Sequence, residues 1–81
     1  MKAARFLGWA TSKGGLGQDS ANSYLSYLTA VEGDYAVNLD AEPLDDVMSR
    51  LSADRELNAN TKKNRLSAVR KYARFLSATA A

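Results

Sequence analysis

The chain has 81 residues, 46% of them apolar, and contains neither cysteine nor histidine. That length holds a single domain, near the lower end of what folds alone, and without thiols neither a disulfide nor a cysteine-held zinc can staple it. The net charge is +2, and the missing histidine and cysteine exclude imidazole-based acid–base chemistry, thiol nucleophiles and the common zinc sets.

The first segment, residues 2–12, places Ala3, Phe6, Leu7 and Ala10 at helical spacing with Trp9 beside them. Its apolar run is short and broken by Arg5 and Gly8, which suits neither a signal peptide nor a membrane span. Gly14, Gly15 and Gly17 end it and form a flexible connection. The second helix opens at Asp19 or Ser20, either of which suits an N-cap. Ala21, Tyr24, Leu25, Leu28 and Val31 form its apolar stripe, and Gly33 is placed to stop it. Residues 34–42 have no helical period, and Val37 and Leu39 are expected to tuck this loop onto the core. Pro43 belongs in the first turn of a third helix, with Asp40, Glu42, Asp45 and Asp46 around its positive end and Leu44, Val47, Met48 and Leu51 buried. Asn58 or Asn60 caps the fourth and longest helix, with Leu66, Val69, Ala73 and Leu76 inward. No strand pattern competes, so the expectation is an all-α, compact four-helix domain over residues 1–81.

The stretch "TSKGGLGQDSA" begins like the deviant phosphate loop of partition-type ATPases. Gln18 and Asp19 stand where that loop needs a second lysine and a Mg²⁺-binding hydroxyl, and the preceding segment reads as a helix where a buried strand is required. The glycines are therefore a connection and not a nucleotide site. Asp45 and Asp46 are adjacent, so on a helix they point about 100° apart and do not face each other as a catalytic pair. The tyrosines are read as amphipathic packing. No cofactor, metal or small-molecule substrate is expected, and the lack of cysteine fits a reducing cytoplasm.

Charge is strongly segregated along the chain. Residues 32–56 carry eight acids against Arg50 and Arg55, net −6, whereas residues 57–81 carry Lys62, Lys63, Arg65, Arg70, Lys71 and Arg74 with no acid, net +6. Along the fourth helix Lys63, Ser67, Arg70 and Arg74 fall on one stripe, with Asn64 and Lys71 alongside and Lys62 at its start. Lysine and arginine neutralise phosphates, arginine grips a guanine edge, and serine or asparagine reaches bases or backbone. The second helix offers Asn22, Ser26 and Thr29 on its exposed side. These features point to double-stranded DNA as the partner. Cations near a helix C-terminus are also favoured by the dipole, and some could pair with the acidic third helix. A protein-interaction module built on the acidic and basic segments is the competing expectation.

The order of these segments, "SANSYLSYLTAVE", an acid-capped helix and then "NANTKKNRLSAVRKYARFL", resembles the N-terminal core-binding domain of tyrosine recombinases (phage integrases). Ser20, Tyr24, Leu25 and Leu28 match the family's second helix. Thr61, Asn64, Arg65, Leu66, Ser67, Ala68, Val69, Arg70, Phe75 and Leu76 match its last. The resemblance implies a SAM-like orthogonal bundle that clamps duplex DNA through its second and fourth helices. It further implies a piece of a larger enzyme whose catalytic domain lies C-terminal, so that this chain binds DNA and breaks no strand. The "SAVRKYARFL" ending also resembles N-terminal modules attached to restriction-type nucleases.

Overall fold

Four helices follow the expected order in the computed structural model, which describes residues 1–80: α1 (Ala3–Ser12), α2 (Gln18–Tyr35), α3 (Leu44–Ala53) and α4 (Ala59–Thr79). No strand occurs among the described residues. The long α4 is the hub. It packs against α2, α3 and α1, while α1 also packs on α2 and α3 leans chiefly on α4.

The buried core draws on all four helices and one loop. Phe6 and Ala10 come from α1, Ala21, Leu28 and Val31 from α2, and Val47 and Leu51 from α3. Leu39 tucks in from the loop after α2, as its apolar character in a polar stretch led us to expect. On α4 the buried residues are Ala68, Val69, Tyr72 and Phe75, whereas Leu66, Ala73 and Leu76 are only half-buried. The inward face of α4 is thus turned toward Tyr72 and away from the stripe expected from aliphatic spacing alone. Aromatic packing explains the turn: the Phe6, Tyr72 and Phe75 rings sit with centroids 5.3–5.7 Å apart, and Trp9 joins Phe75 at 5.8 Å.

Burying Tyr72 requires a partner for its hydroxyl. It donates to Asp40 and accepts from the Lys2 backbone N–H at 2.9 Å. The α-ammonium of Met1 lies 3.4 Å from both Asp40 and Glu32, and Glu32 also accepts the Leu39 N–H at 3.0 Å. Burial works against charge on the amine, but the Asp40 hydrogen bond and the Glu32 and Asp40 charges outweigh it and hold its pKa above the ordinary 8.0. Burial, reinforced by the Asp40 hydrogen bond, pushes the Tyr72 phenol up to about 12. Asp40 therefore serves the core-side polar cluster and not the positive end of α3, where only Asp45 and Asp46 occupy the first turn.

Several helix ends differ from the sequence expectation. Gly17, in extended conformation, is the N-cap of α2, and neither Asp19 nor Ser20 caps it, because the helix begins earlier, at Gln18. Gly33 does not stop α2. The helix continues to Tyr35, held by Arg65 on Asp34 at 2.7 Å and by the Tyr35 hydroxyl on Asp54, and ends at Ala36 in the left-handed conformation. These contacts lie beyond Gly33 and oppose the roughly 1 kcal/mol that a glycine costs inside a helix. Pro43 is the N-cap of α3 rather than a residue of its first turn. Asn58, not Asn60, caps α4, its Oδ1 accepting the Thr61 N–H at 2.8 Å.

The glycine connection forms a hydrogen-bonded turn. Gly14 donates its N–H to the Trp9 carbonyl at 2.8 Å, and a Cβ at Gly14 would meet the Ala10 Cα at 2.8 Å. Gly15 has φ +73°, open to glycine and costly for other residues.

Candidate nucleic-acid interface

The six cations of α4 divide into two groups by what they touch. Three are engaged within the protein. The Lys62 ammonium donates to the Ser52 carbonyl at 3.1 Å, and Arg65 pairs with Asp34. Half-buried Lys71 donates to the Gly14 carbonyl at 2.8 Å with its ammonium 5.7 Å from the Trp9 ring centre. The other three, Lys63, Arg70 and Arg74, are exposed and have no acidic partner within ion-pair distance among the described residues.

Helical geometry sets Lys63, Arg70 and Arg74 within about 40° of one another on the side of α4 opposite Tyr72 and Ala68. Rising 1.5 Å per residue, the ridge extends over roughly 16 Å of helix. Asn58 begins this helix firmly and tertiary packing runs along its opposite face, so the ridge stands on a rigid element. Beside it lies a shallow groove of about 420 Å³, floored by Leu57 and Leu66 and edged by Lys62, Lys63 and Arg70. Such a surface carries concentrated positive charge and favours anions electrostatically.

The remaining candidate residues are distributed unevenly. Ser67 and Asn64 are half-buried on the flank of α4 next to the ridge. Asn64 faces α2, where it shares a notch with Ser20, Ser23, Tyr24 and Tyr27. Asn22 and Ser26 are exposed, and Asn22 accepts a hydrogen bond from Gln18 at 3.2 Å. They lie between about 110° and 150° around α2 from the flank that meets Asn64. The structure therefore gathers Lys63, Ser67, Arg70 and Arg74 on one side of α4, turns Lys62 toward α3 and Asn64 toward α2, assigns Lys71 to the α1–α2 turn, and turns Asn22 and Ser26 away from Asn64. Ser20, read from the sequence as a helix start, and Tyr27, read as packing, line this notch together with Ser23. Their spacing of three and four residues sets them on one flank of α2, beside its apolar stripe.

No helix among the described residues is long and apolar enough to cross a membrane. The chain matches no family model, no curated protein and no solved structure.

Proposed function

We propose that this chain is a DNA-binding module that holds duplex DNA by its phosphates through α4 and takes no part in bond cleavage. The observation that carries this reading is the ridge of Lys63, Arg70 and Arg74, exposed and without acidic partners in a chain that has nine acids to offer. Exposed cations that merely solvate a helix are commonly interspersed with acids, and residues 57–81 have none. The resemblance to the core-binding domain of tyrosine recombinases points the same way, with cleavage left to a C-terminal catalytic domain of a parent enzyme.

With Lys71 held by Gly14, three cations rather than four are available for phosphates. The observed binding constant should then fall with salt at a log–log slope of about −2.7. An ¹⁵N-amide titration with a mixed-sequence duplex at low salt tests the reading. Shifts should cluster on residues 62–75 and fade as salt rises. An unperturbed α4, with self-association at low salt in its place, would instead favour the interaction-module reading, in which exposed Asp45 and Asp46 of one copy meet the basic ridge of another.

A further inference from the structure

The four tyrosines occupy two kinds of site. The hydroxyls of Tyr35 and Tyr72 are each committed to a carboxylate, Asp54 and Asp40. Those of Tyr24 and Tyr27 bond nothing among the described residues, although both side chains are half-buried and their rings meet edge to face with centroids 6.4 Å apart. These two tyrosines line a notch of about 330 Å³ between α2 and α4. Asn64 enters it from α4, also half-buried and also without a hydrogen-bond partner among the described residues. Asp19, Ser20 and Ser23 line it from α2. The notch thus gathers polar groups without a protein partner, and because no buried side-chain polar atom is unsatisfied among the described residues, these groups are open to solvent and to a ligand.

The notch adjoins the basic ridge. On α4 the stripe of Asn64, Ser67 and Lys71 lies roughly 70° round from that of Lys63, Arg70 and Arg74. We propose that the notch receives one unpaired nucleobase while the ridge holds the phosphates of the strand that carries it. This inference rests on the DNA-binding reading above and specifies the form of DNA preferred. Tyrosine rings offer a stacking surface that any base can use. The Asn64 carboxamide presents a donor and an acceptor side by side, the arrangement that pairs with an adenine edge. Asp19 opposes a phosphate in the notch itself and accepts from an exocyclic amino group, so a neutral amino-bearing base suits the site. The volume lies at the small end of ligand pockets, in keeping with a single base.

The test compares three end-labelled DNAs of one sequence at low salt: a perfect duplex, the same duplex with one unpaired adenine, and the single strand. The unpaired adenine and the single strand should each bind the full chain about tenfold tighter than the perfect duplex. Asn64→Ala and Tyr27→Leu should each lower affinity for the unpaired adenine and the single strand far more than for the perfect duplex, removing most of that preference, while Arg70→Ala weakens binding to all three. Tyr27→Leu alters a packed side chain, so a second measurement uses the unaltered protein. Titration with adenosine monophosphate should shift the ring protons of Tyr24 and Tyr27 upfield and spare those of Tyr35 and Tyr72. Equal affinity for the three DNAs, or a preference that survives both substitutions, overturns the notch and leaves duplex binding standing. Failure to bind any of the three overturns both.

Discussion

Ala36 ends α2 with φ 51° and ψ 46°, a conformation in which its Cβ crowds the backbone, and donates its N–H to the Glu32 carbonyl. Glycine meets that demand without the clash, so Ala36→Gly should stabilise the fold by about 1 kcal/mol. In a domain of this size thermal unfolding would then shift upward by roughly 4–8 °C. Lys71 presents the opposite case, a charged side chain whose function is internal. It ties α4 to the carbonyl of Gly14 and covers the face of Trp9. Lys71→Ala should cost about 1–2 kcal/mol in chemical denaturation. The salt slope of DNA binding should stay unchanged, because the phosphates fall to other residues. From the sequence Lys71 looks like its neighbours Arg70 and Arg74. Only the fold brings Gly14, distant in the chain, within reach of one and not the others.

The element that carries most of the molecule is α4. Its start depends on the Asn58 side chain, and Asn58→Ala should lower stability by about 1 kcal/mol by leaving the Thr61 N–H without its partner. Its outer ridge contributes little to packing, so replacing Arg70 and Arg74 together by alanine should leave helicity intact by circular dichroism. With Lys63 alone remaining, the salt slope should shrink from about −2.7 to about −0.9. The presence and order of the four helices were legible because each apolar stripe repeats at helical spacing between strong stop signals. Their ends were less so. Gly33 lies inside α2 because Asp34 and Tyr35, just beyond it, find Arg65 and Asp54 on other elements. Asp40 reads as a helix-end acid until the structure brings Tyr72 and the Met1 amine to it. The candidate site was legible in its cationic stripe, since that stripe lies on one helix. The notch was not, because Asn64 meets Ser20, Ser23 and Tyr27 only through the packing of α4 on α2.

At the scale of the whole molecule, the polar cluster at the amino end joins α2, the following loop and α4, and its protonation sets the pH range of the fold. The Met1 amine and the phenols of Tyr35 and Tyr72 have raised pKa values, so their contribution is complete below their ordinary values and declines as pH rises through the folded ones. Burial raises Tyr35, with help from the Asp54 hydrogen bond, to about 12, matching Tyr72. Asp40 is opposed by burial but held low by Tyr72 and the amine, and Asp54 is held low chiefly by Tyr35. Their contribution is present above the ordinary 3.8 and fades as pH falls through the lowered values. Denaturation midpoints should therefore be level between about pH 4 and 8, fall gradually above 8, and fall further beyond 10. Tyr72→Phe should flatten the last part of that decline. One further consequence comes from the position of the only tryptophan. Trp9 rests on Phe75 and under the Lys71 ammonium, at the joint between α1 and α4, and none of Lys63, Arg70 and Arg74 lies over its ring. Its fluorescence should change sharply when that joint opens and stay constant while a polyanion loads the ridge, so the protein carries its own optical control, separating loss of binding from loss of fold in every variant described above.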